Sequence, residues 1–108
     1  MGTYTHKPVV VISQKGYVEA AHKKAVSLFP DSVSPVINSD LNGWGSFLIA
    51  TDGSKDGWED QELADCRRSL FKDWINAQAF ADGSNMYTYV EVVMQESSGN
   101  VFVNTNFR

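Results

Sequence analysis

The densest set of potential ligands in the chain is Asp52-Gly53-Ser54-Lys55-Asp56-Gly57, running on to Asp60 and Glu62. Counted as a calcium loop, Asp52, Ser54, Asp56 and Asp60 fall at the oxygen-ligand positions one, three, five and nine, with Gly57 at the turn in position six. The loop fails where it should close. Leu63 stands where a bidentate Glu is needed, Glu62 comes one residue early, and no helix precedes. A turn running into a capped helix explains the same residues, so no metal and no cofactor are expected.

A second chemistry is suited to an anion. Ser13, Lys15, Gly16 and Tyr17 in one loop, with Ser54, Lys55, Trp58 and Ser84 in others, supply hydroxyls, ammonium groups, a glycine that exposes backbone, and two rings able to stack on a base. The first two loops each lead into an expected helix, whose free N–H groups attract negative charge. Asp52, Asp56 and Asp82 oppose the same anion, and Ser13-Gln14-Lys15-Gly16 lacks the glycine spacing of a P-loop. The expected ligand is therefore small and anionic, with nucleotides among the candidates, and it is held without a dedicated phosphate motif.

Nucleophilic catalysis has little to stand on. Cys66 falls on an expected apolar helix face, where it is a small core residue rather than a nucleophile. His6 lies in an N-terminal segment expected to be mobile and His22 on the outer face of the first helix, neither with a nucleophile or an orienting carboxylate beside it. Non-catalytic binding is the expected function, and a small enzyme assembled only in three dimensions is an alternative.

These groups must be positioned by elements that the chain also specifies. Leu63, Cys66, Leu70, Trp74 and Ala77 recur three and four apart, with Phe71 and Ile75 widening the stripe, which predicts a long amphipathic helix. Asp56 is placed as its N-cap with Glu59 three residues on. Acids early and Arg67, Arg68 and Lys72 later suit the helix dipole. Upstream, Pro8 to Ser13 is a continuous β-branched run, the pattern of a central strand covered on both faces. Tyr17, Ala21, Ala25 and Leu28 mark a first helix that ends at Phe29-Pro30-Asp31. Ser34 to Ser39 is a short strand confined to an edge by Pro35, and Asn42-Gly43 turns the chain into a strand from Ser46 to Thr51. Met86 to Glu96 is a long strand with Met86, Val90, Val92 and Met94 expected inward and Tyr87, Tyr89, Glu91 and Val93 outward; a last strand follows from Val101.

The order β-α-β-β-α-β-β over a single domain, 1–108, fits an α+β, ferredoxin-like split β-α-β sandwich with two helices on one face of a mainly antiparallel sheet. Right-handed crossovers would set the first and third strands side by side and parallel, the second at one edge and the fourth and fifth at the other. Both helix N-termini and the anion-suited loops would then gather at one rim. Tyr87, Tyr89, Val93 and Phe102 would form an aromatic patch on the helix-free face, expected to build a homo-oligomer interface.

A chain of 108 residues, 43% hydrophobic, fits one core. Its net charge of -4 argues against a non-specific nucleic-acid binder. The lone Cys66 leaves no intrachain disulfide, and neither a membrane-spanning run nor a signal-peptide core is present in the sequence, so a cytoplasmic protein is expected. The acidic run from Asp52 to Asp65 offers another function class: an inhibitor or adaptor that occupies a basic groove on a partner protein, as accessory proteins of viruses and mobile elements do, by analogy alone.

Overall fold

Proline decides how the sheet begins. In the computed structural model, which describes residues 3–107, β1 (Thr5–His6) and β2 (Val9–Gln14) share one register along β5 (Thr88–Gln95), with Thr5 opposite Gln95 and Val9 opposite Glu91. They are interrupted at Pro8, which has no N–H to give but whose carbonyl still accepts from Val92 N–H at 3.0 Å. β2 lies between β5 and β4 (Trp44–Ile49), β3 (Ile37–Asn38) forms the far edge against β4, and β6 (Val101–Thr105) pairs with the other side of β5. Every pairing is antiparallel. The helices α1 (Val18–Leu28) and α2 (Glu59–Asn76) pack on one face, giving an α+β fold of two helices on an antiparallel sheet.

Two expectations about topology change. The first and third long strands, β2 and β4, are neighbours but run antiparallel. The six-strand order, with β5 joined by β1, β2 and β6, departs from the simple ferredoxin-like sheet. The cause is the hairpin: α1 carries the chain to β3, and the turn at Asn42 and Gly43, with φ of 63° and 67°, reverses it into β4 between β3 and β2. Helices α1 and α2 consequently begin at opposite ends of the sheet.

The core lies between the helices and the sheet, where Val9, Val11, Phe47 and Ile49 meet Ala21, Ala25, Phe71 and Ile75. Burying a side chain such as Phe71 or Ile75 contributes about 1.5–3 kcal/mol before chain entropy is subtracted. Small residues set the approach of α1. A Cβ at Gly45 would stand 2.9 Å from Val18 Cγ1, so the first turn of the helix rests on bare strand.

Helix α2 is rotated from the expected stripe. Ala64, Arg68, Phe71 and Ile75 face inward, whereas Leu63 and Leu70 are about half exposed and Cys66 is on the surface. Arg68 takes a core position because acids surround it there. The cap also differs: Trp58 is the N-cap, and Asp56 instead accepts the hydroxyls of Thr3 and Thr5 at 3.0 and 3.1 Å. Gln61 reaches back to both Asp56 and the Gly57 N–H, supplying the link that Glu59 was expected to make.

The faces of β5 are likewise inverted. Tyr89, Glu91 and Val93 lie under the helices, with Tyr87 buried against Trp74, while Val90, Val92 and Met94 face away. Tyr87, Tyr89 and Val93 are thus core, and Phe102, opposite Val93 on the helix side, is exposed. They form no helix-free aromatic patch.

Candidate functional site

Arg68 and Glu91 are 2% and 3% exposed, the two charged residues drawn furthest into the described fold. They meet where α2 crosses β5. Arg68 Nη2 donates to Asp65 Oδ1 at 2.6 Å and Nη1 to Asp52 Oδ1 at 3.2 Å. Glu91 Oε1 accepts from Lys72 Nζ at 3.1 Å and from Asn104 Nδ2 at 3.0 Å, and Lys7 Nζ donates to Asp65 at 2.9 Å. Three cations, Lys7, Arg68 and Lys72, thus balance three carboxylates, Asp52, Asp65 and Glu91, as buried charge requires.

One donor is left over. Arg68 Nε is buried without a hydrogen-bond partner, and Glu91 Oε2 lies 3.8 Å from it, too far for a hydrogen bond. An oxygen able to accept from Nε and donate to Oε2, as a hydroxyl can, would satisfy both.

This cluster floors a cleft of about 500 Å³ between α2 and the β5–β6 hairpin. Lys7 and Lys72 line it together with Asp56 and Asp65; Thr5, Ser69 and Asn104 add neutral polar groups, and the half-exposed ring of Phe102 is also part of the lining. Partial burial pushes the carboxyls of Asp52 and Asp65 up, but hydrogen bonds outweigh it and hold both below the ordinary value. For Asp52 these come from Ser54 and Arg68, and for Asp65 from Arg68 and Lys7.

The residues expected to bind an anion do not meet. Ser13 is buried, with its hydroxyl spent on the Met86 carbonyl at 2.8 Å. Lys15, Gly16, Tyr17 and Ser84 lie at the end of the sheet where α1 begins, and Ser54, Lys55 and Trp58 at the end where α2 begins. The 18 residues of α2, about 27 Å at helical rise, run between these ends. Glu19 already occupies the Gly16 N–H at 3.2 Å, Ser84 Oγ donates to Asp82 at 2.6 Å, and Ser54 Oγ donates to Asp52. Lys55 sits over the Trp58 ring, 5.6 Å from its centroid. Beside Ser54 and Trp58, a hollow of about 460 Å³ is lined by Asp31, Asp52 and Asp60 against a single Arg67, which disfavours an anion.

The calcium-like spacing likewise opens out in three dimensions, because Asp52 turns to Arg68 and Asp56 to Thr3 and Thr5. Among the described residues no group of three or more His, Cys, Asp or Glu is placed to hold a metal. His6 is held in β1, paired with Glu96 at 2.8 Å and stacked on Tyr4, rather than in a loose segment. His22 packs edge-on against Phe47 and bonds the Ser34 carbonyl at 2.9 Å, rather than facing outward.

Sequence reasoning missed Arg68, Glu91, Lys7, Lys72 and Asn104. Its one available signal was phase: Arg68 keeps helical step with Ala64, Phe71 and Ile75, and Glu91 alternates in step with Tyr89 and Val93. Compared with protein-family models, curated proteins and solved structures, the chain matches none. Among the described residues no helix is long and apolar enough to cross a membrane.

Proposed function

We propose that this chain is a non-catalytic binding protein that captures a small anionic, hydroxyl-bearing ligand, of nucleotide or sugar-phosphate type, in the cleft between α2 and the β5–β6 hairpin. The observation that carries the reading is the buried, unpartnered Nε of Arg68 beside Glu91. A ligand hydroxyl bridges that pair once the side chains that cover Nε shift, Lys7 and Lys72 turn the N–H donors left over from their ion pairs to the anionic group, and the Phe102 ring offers a stacking surface. Sequestration fits better than catalysis, because a general base works best with a pKa near the operating pH, whereas Asp52 and Asp65 are held low by their partners.

The units β2-α1-β3 and β4-α2-β5, each straddling a strand of the other, support reading the core as a ferredoxin-like split sandwich to which β1 and β6 are added. A cytoplasmic setting agrees with an exposed, unpaired Cys66. The acidic-inhibitor alternative is weakened, since Asp52, Asp56 and Asp65 are engaged within the fold and leave Glu59, Asp60 and Glu62 to face a partner.

Calorimetric titration with nucleoside monophosphates and sugar phosphates tests the reading. At least one should bind, and Lys72→Ala and Phe102→Ala should each weaken it about tenfold, or 1.4 kcal/mol. Lys15→Ala and Lys55→Ala should leave it unchanged. No binding by any member of either class, or sensitivity only to Lys15 and Lys55, would defeat it.

A further inference from the structure

The helix-free face of the sheet is unusually apolar for a surface facing water. An antiparallel sheet with one wet face alternates apolar inward with polar outward. Here β5 and β6 depart from that rule: Glu91 and Asn104 point to the helix side beside Tyr89 and Val93, and Val90, Val92, Met94 and Val103 point away with only Thr88 and Thr105 as polar outward neighbours. The central strand β2 does not alternate in chemistry at all. Its Val9 and Val11 are buried, yet Val10 and Ile12 are 37% and 40% exposed, although so continuous an apolar run is the pattern of a strand covered on both faces.

We infer that this face packs against the same face of a second copy, forming a two-fold symmetric dimer with the two sheets face to face. Charge selects the occupant. The outward positions of β2, β4, β5 and β6 carry no Asp, Glu, Lys or Arg, and the His6–Glu96 pair stands at the β1 edge, so the centre of the face has nothing with which to steer or register a charged partner. It requires a flat, neutral, aliphatic surface, and the same face on another copy is one, brought into self-complementary contact by a two-fold axis.

Size agrees. Strands about 4.8 Å apart and six to eight residues long give a flat footprint on the order of 500 Å². With side-chain relief the accessible area comes near the roughly 800 Å² that each partner gives to a standard interface. Facing sheets would sit about 10 Å apart with Val10, Val90 and Val92 near the centre. The ligand cleft opens on the opposite side, so this dimer does not depend on the binding proposed above.

Light scattering after gel filtration, with sedimentation equilibrium at about 100 μM, decides the matter, since interfaces of this size have micromolar or tighter constants. The expected mass is twice 12.0 kDa. Val92→Glu should yield a monomer. So should Val103→Lys, whose site is 55% exposed in the single chain and contributes nothing to the core, so the fold survives. Leu70→Glu, on the outer side of α2, should remain dimeric. A monomeric wild-type protein overturns the inference, as does a dimer insensitive to Val92→Glu and Val103→Lys or one dissociated by Leu70→Glu.

Discussion

Removing Arg68 would leave Glu91 charged, nearly sealed from water and short of one cation. Breaking a buried pair from one side costs about 3–5 kcal/mol, so Arg68→Met should lower the stability measured by urea unfolding by that amount. Leu70→Ala, which the helical periodicity marks as a core deletion, should instead stay within about 0.5 kcal/mol because Leu70 is half exposed. Acid acts on the same cluster. Hydrogen bonds hold the folded pKa values of Asp52 and Asp65 below the ordinary Asp value, so the stability they add is complete above that ordinary value and is lost as pH falls through the lower folded values. Unfolding midpoints should therefore drop in strongly acid buffer, and the double variant Asp52→Asn, Asp65→Asn should show a shallower drop from a lower starting stability.

At the scale of elements, what was legible was local. The spacing of Ala21, Ala25 and Leu28 and the Asn42-Gly43 turn each act within a few residues, and α1 and the hairpin form where they predict. The rotation of α2 and the inversion of β5 were not legible, because Arg68 and Glu91 are buried with partners that include residues distant in sequence, Asp52 for the one and Lys72 and Asn104 for the other. Strand direction was legible from the same turn: α1 returns the chain to lay β3 parallel to β2, and the Asn42-Gly43 hairpin then reverses β4 against both. The closeness of α1 to β4 gives a test at this scale. Gly45→Ala places a methyl 2.9 Å from Val18 Cγ1, and overpacking of that kind should cost about 1–3 kcal/mol, read as a lower Tm.

For the whole molecule, the antiparallel course of β2 and β4 separates two loop sets that look like one anion site in sequence. The same course gathers Lys7, Arg68, Lys72, Glu91 and Asn104 into one cleft from three elements and a linker. No local spacing could reveal that gathering. The side-chain resonance of Arg68 Nε–H in 15N-labelled protein reports on it most directly. Without ligand this proton should exchange slowly with water, being buried, and on titration with a nucleoside monophosphate or sugar phosphate that binds, it should shift together with Phe102 and Lys72. Binding that moves Lys15, Tyr17 or Lys55 and leaves the Arg68 resonance in place would contradict a ligand site built on Arg68 and Glu91.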